Sequence, residues 1–125
     1  MAGTGKAGPE FTRLREGLAS DRAQLGRAVA DGAVDQIATQ LKTISAAFDA
    51  IGEKSSAMNL MDRENMAIQL ATGRRIIAST QAWVANADID AIRTEVARLD
   101  GVLGEVDALL DRAIRSSVPS PQITP

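Results

Sequence analysis

The sequence predicts an all-α protein: an antiparallel four-helix bundle built from two helical hairpins with coiled-coil-like seams. Three observations carry this. In 88–115 the apolar residues fall at Ile89, Ile92, Val96, Leu99, Leu103, Val106, Leu110 and Ala113, stepping 3, 4, 3, 4, 3, 4, 3, the spacing by which one helix face packs on another helix. A second seam, Val34, Ile37, Leu41, Ile44, Phe48 and Ile51, steps 3, 4, 3, 4, 3. Finally, the chain is 45% hydrophobic but only 2% aromatic, so its core must be aliphatic, the composition of packed helices rather than of sheets.

A chain of 125 residues fits one domain. The expected organisation is a flexible N-terminal tail over 1–9, a bundle over 10–116, and a disordered Pro-rich tail over 117–125. Residues 1–8 are small and Gly-rich. Gly3-Thr4-Gly5-Lys6 lacks the spacing, the following Ser or Thr and the preceding strand of a phosphate loop. Pro9 suits a first helical turn and places the first helix at about 10–30, with Phe11, Leu14, Leu18, Leu25, Ala28 and Val29 as its stripe. Asp21 stands where a further apolar residue was due. Asp31-Gly32 is a turn signal, because Gly readily takes the left-handed conformation that ends a helix.

The second helix begins near Ala33. The stretch 53–61 reads either as its extension, to about Met58, or as a loop. Asn59 and Asp62 are the two candidate caps for the third helix, expected at about 62–86 with a less tidy stripe: Met66, Leu70, Gly73, Ile76, Ile77, Thr80, Trp83 and Val84. Gly73 and Thr80 on that stripe suggest weaker packing than in the second and fourth helices. Asn86-Ala87 is a short connection, and the fourth helix follows at about 88–116, with Asp88 and Asp90 at its start and Arg112 and Arg115 at its end, as the helix dipole favours. Prolines at 119, 121 and 125 stop it.

The chain partly matches itself at a shift of 55. Val29-Ala30-Asp31 meets Val84-Ala85-Asn86, Val34-Asp35 meets Ile89-Asp90, and Ile37, Thr39 and Leu41 meet Ile92, Thr94 and Val96. Both halves therefore read as helix, short turn, helix, and two such hairpins bury their stripes against each other as an up-down-up-down bundle.

The chain has no cysteine, histidine or tyrosine. That removes disulfides, thiolate metal sites, Cys nucleophiles and Ser-His-Asp triads, and His-carboxylate di-iron bundles. No metal and no cofactor are expected, nor enzymatic activity: the carboxylates of 88–111 lie mostly off the seam and read as a solvated face. Net charge is −2 with pI about 5.1, which gives no general attraction to nucleic acid or to an anionic membrane. Arg13, Arg15, Arg22 and Arg27 are balanced by Glu10, Glu16, Asp21 and Asp31, whereas nucleic-acid binding uses a one-signed patch. No signal peptide and no membrane span are evident, and a cytoplasmic protein is the expectation.

Met58, Leu60, Met61 and Met66 cluster at the junction of the second and third helices. Methionine surfaces adapt to varied partner helices, though the same residues suit a cap closing the bundle end. Trp83 and Ile76 lie beside the main stripe of the third helix, and Trp is favoured at interfaces. Met58, Met61, Met66, Ile76 and Trp83 are thus the candidate partner-binding residues, for an amphipathic helix of another protein or for self-association into a homo-oligomeric structural bundle.

Leu18-Ala19-Ser20-Asp21-Arg22-Ala23-Gln24-Leu25, then Asp31-Gly32, then Ile37, Leu41 and Lys42, resemble the first helical hairpin of FlgN-type flagellar export chaperones. Arg63-Glu64-Asn65 is similar to the start of that family's next long helix. The resemblance covers about half the chain. It implies a cytoplasmic, non-enzymatic bundle that holds hook-associated subunits by their C-terminal helices, unassembled, until export.

Overall fold

The computed structural model describes residues 3–117, with side chains over 8–116. Four helices follow one another: α1 (Gly3–Asp31), α2 (Val34–Lys54), α3 (Leu60–Ala85) and α4 (Ile89–Ser117), with a single 3-10 turn, Ser55–Ala57, between α2 and α3. No strand occurs among the described residues. Each helix packs on its two neighbours in the ring α1–α2–α3–α4–α1. Every neighbouring pair is antiparallel, as the cross-helix contacts show: Gln24 with Gln40, Arg74 with Asp49, Ser79 with Glu95, and Arg22 with Asp100. The fold is therefore an up-down-up-down four-helix bundle.

The two seams form the centre. Ile37, Leu41, Ile44, Phe48 and Ile51 of α2, and Ile92, Leu99, Leu103, Val106, Leu110 and Ala113 of α4, are buried. Removing such Val, Leu, Ile and Phe side chains from water contributes about 1.5–3 kcal/mol each. From α1 come Phe11, Leu18, Leu25 and Ala28, and from α3 Met66, Leu70 and Ile77.

The 55-residue repeat is written into the backbone. At the first hairpin turn the N–H of Gly32 donates to Val29 O and that of Ala33 to Ala28 O; at the second, Ala87 donates to Val84 O and Asp88 to Trp83 O. These are the paired bonds of a Schellman C-cap, in positions 55 apart. Gly32 (φ 65) and Ala87 (φ 53) are both left-handed. The threonines match as well: Thr39 Oγ1 donates to Asp35 O, and Thr94 Oγ1 to Asp90 O, both at 3.1 Å. The turns differ in their caps. Asp88 Oδ1 accepts from the N–H of Ala91, while Ala33 offers no side-chain cap to α2.

Three expectations are corrected. The first helix does not begin near 10 but reaches back to Gly3, with Pro9 inside it, so residues 3–9 are helix and not tail. Proline's fixed φ is a helical φ, but at the seventh residue of α1 it lacks the N–H for the ladder bond to residue 5 and its ring crowds that carbonyl, at a cost of about 3 kcal/mol. The second helix stops at Lys54, not Met58, where Ser55 donates its hydroxyl and its N–H to carbonyls of the last turn. Gly73 and Thr80 do not loosen α3. Both are buried, Thr80 Oγ1 donates to Ile76 O at 2.7 Å, and the missing Cβ of Gly73 lets Phe48 approach. The expected tail at 117–125 lies outside the described residues apart from Ser117, which ends α4.

The carboxylates of α4 are not simply a solvated face. Arg15 of α1 donates to both oxygens of Asp107 and to Asp111, and Arg22 to both oxygens of Asp100. Such half-exposed pairs are screened by water; their planar, two-pronged geometry fixes the register of α1 on α4.

Candidate partner-binding face

α3 starts on a reciprocal cap. Asn59 Oδ1 accepts from the N–H of Asp62 at 2.9 Å, and Asn59 Nδ2 donates back to Asp62 Oδ2 at 3.1 Å. Of the two candidate caps, Asn59 is therefore the N-cap and Asp62 its third-position partner, which accepts from the Asn59 side-chain amide where the side chain of a capping box would accept from the backbone N–H. Asp62 is 2% exposed. Its Oδ1 lies 3.0 Å from Arg112 Nη2 of α4, a charge contact outside hydrogen-bonding angle. This ion pair, buried on the Asp62 side and open to solvent at Arg112, ties the start of α3 to the end of α4.

The five candidate partner-binding residues divide. Met58 and Met66 are core: Met58 is buried just beyond the 3-10 turn, its N–H donating to Ser55 O, and Met66 is fully enclosed. They close the bundle end, which corrects the expectation that they form an open edge. Ile76 is half-buried against the core. Met61, 68% exposed, and Trp83, 37% exposed, face solvent.

The structure adds Ile68, 60% exposed on the same helix. Met61, Ile68, Ile76 and Trp83 step 7, 8, 7, so they form one row along about 33 Å of α3. At 100° per residue the row lies roughly 120° round from the buried row of Asp62, Met66, Leu70, Gly73, Ile77 and Thr80. Helix α3 therefore carries two apolar rows, one facing the core and one facing out on the α3–α4 side. Leu60, 59% exposed, belongs to neither. The signal was in the sequence, but the two rows interleave and read together as one untidy stripe.

Chemistry on this face is sparse. Among the described residues no three acidic side chains are placed to hold a metal ion, and no helix is long and apolar enough to cross a membrane. The two buried polar side chains of the core, Asp62 and Thr80, are used in the cap and in a helix back-bond. Arg15 and Arg22 are committed to Asp100, Asp107 and Asp111.

Among known proteins, no family model matches the chain, and neither a curated protein nor a solved structure does.

Proposed function

We propose that this is a non-enzymatic helical-bundle binding protein that takes an amphipathic helix along the outer face of α3. One observation carries the reading: a row of large apolar side chains, Met61, Ile68, Ile76 and Trp83, on a helix whose other apolar row already fills the core. A bundle does not need the outer row for its own stability, and helix-in-groove recognition uses residues at this spacing. The lack of His, Cys and Tyr leaves few groups for catalysis and agrees with a binding role.

The resemblance of 18–42 and 63–65 to FlgN-type chaperones supports a cytoplasmic export chaperone, with the C-terminal helix of a hook-associated subunit as the ligand. Trp83 is the single tryptophan and lies on the row, so it reports occupancy directly. Titrating such a helical peptide is expected to shift Trp83 emission to the blue with saturation. Ile68→Glu is expected to abolish the shift without altering the circular dichroism spectrum. Emission unchanged at a saturating excess of peptide overturns the reading.

Self-assembly is the second reading, favoured by a symmetry in the same row.

A further inference from the structure

The outer row of α3 reads alike from either end. Ile68 and Ile76 lie four residues to either side of Thr72, Asn65 and Ser79 seven, Met61 and Trp83 eleven. All seven positions fall within about 80° of the helix circumference. Laid antiparallel on a copy of itself, the row sets isoleucine on isoleucine and threonine on threonine at the centre. Asparagine then meets serine, and methionine meets tryptophan at the ends. A surface that complements its own image is what a two-fold interface requires.

We propose that a second copy of this chain docks on this face. The α3–α4 side of one molecule covers the α3–α4 side of the other, and the two-fold axis passes at Thr72. The proposal rests on reading the face as a helix-docking surface, and it names the helix.

Helix α4 supports the same axis. Ser79 meets Glu95, a side chain at Gly73 would touch Val102, and Asp62 meets Arg112, so Thr72 lies level with residues 102–103. Arg98 and Glu105 are exposed on α4 to either side of that level. Within the chain, among the described residues, neither has a salt-bridge partner. The two-fold operation brings Arg98 of one copy to Glu105 of the other, twice, with an axial offset of about 3 Å. That is within reach of two long side chains, and opposite charges placed this way set register. The parallel alternative would lay the apolar row of α3 on the charged edge of α4.

The face is about 33 Å long and about 20 Å, two helices, wide, so ~650 Å² per copy and ~1,300 Å² in all is covered, within the range of specific interfaces.

The chain has no cysteine, so introduced thiols report unambiguously. Thr72→Cys is expected to oxidise to a disulfide-linked dimer. Met61→Cys alone is expected to stay unlinked, and Met61→Cys with Trp83→Cys to link. In sedimentation the wild type is expected at twice 13.1 kDa. Ile68→Glu is expected to be monomeric with an unchanged circular dichroism spectrum. Arg98→Glu is expected to weaken the dimer about tenfold, and adding Glu105→Arg to restore it. A monomeric wild type at micromolar concentration overturns the proposal. So does a dimer that survives Ile68→Glu, or one that links through Met61→Cys alone. A monomer whose Trp83 still responds to a partner helix leaves the helix-binding reading standing; a monomer with no response ends both.

Discussion

The ring of Phe48 lies against Gly73, where a Cβ would come within 2.5 Å of Phe48 Cε2 and 3.2 Å of Val102 Cγ1. This is where α2, α3 and α4 meet, on the otherwise most sparsely packed side of the ring. Gly73→Ala is expected to destabilise the protein by about 1–3 kcal/mol, because the ring must leave its position and the core is overpacked. Gly17→Ala and Gly26→Ala have open space around the new methyl group and are expected to stabilise by about 0.5–1 kcal/mol each through helix propensity alone. Urea unfolding of the three variants decides it: the same substitution must change sign with position.

At the second hairpin turn an alanine, Ala87, sits at φ 53, where an L-side chain costs about 1–2 kcal/mol. Ala87→Gly is expected to raise stability by about 1 kcal/mol. The first turn has the complementary gap, since Ala33 leaves the start of α2 without a side-chain cap. Ala33→Asp is expected to add about 1 kcal/mol by doing there what Asp88 does for α4. Thermal unfolding of both variants and of their combination should show additive gains, the turns being on separate hairpins.

Partial burial raises the carboxyl of Asp21 above its ordinary range. A group whose folded pKa is raised in this way destabilises the fold when ionised, and the cost is relieved as pH falls below the folded pKa. Asp21→Leu should therefore melt higher than the wild type at pH 7, and the difference should shrink in acid. Asp100 behaves oppositely: hydrogen bonds from Arg22 hold its carboxyl below the ordinary range, so its contribution is present at neutral pH and lost as pH falls through the folded pKa. Arg22→Gln should thus lower the melting temperature at pH 7 and matter less in acid. A difference that grows on acidification, for either variant, contradicts these assignments.

Met61 and Met66, close in sequence, should respond differently to charge. Met66→Glu places a charge in a fully buried site and should unfold the bundle. Met61→Glu, on a side chain 68% exposed, should leave folding within about 0.5 kcal/mol of the wild type. Circular dichroism melts of the single variants distinguish them.

The seams of α2 and α4 were legible because each has one apolar face and an uninterrupted 3–4 step; every interior position from Ile37 to Ile51 on the first is buried. α3 was legible as a helix but not as a surface. Its two apolar rows fall into one apparent stripe when only spacing is considered, which hides Ile68 and puts Met66 beside Met61 although the two lie on different sides. The start of α1 is not legible because Pro9 suits a first turn, while the small residues before it carry no apolar stripe to mark the helix that reaches back to Gly3. The pairing of Arg15 and Arg22 with Asp100, Asp107 and Asp111 was not legible at all, since it depends on which helices become neighbours, and local periodicity does not encode that.

Because the turns at Gly32 and Ala87 are closed by the same hydrogen bonds, each hairpin carries its own hinge, and the only covalent tie between the halves is the short stretch at 55–59. Severing the chain there should yield two peptides, neither able to bury its stripe alone, that reassemble on mixing into the native bundle with a concentration-dependent melting point. In that sense the molecule is a heterodimer that happens to be joined, and of the joint only Met58, which is core, and Asn59, which caps α3, must be kept.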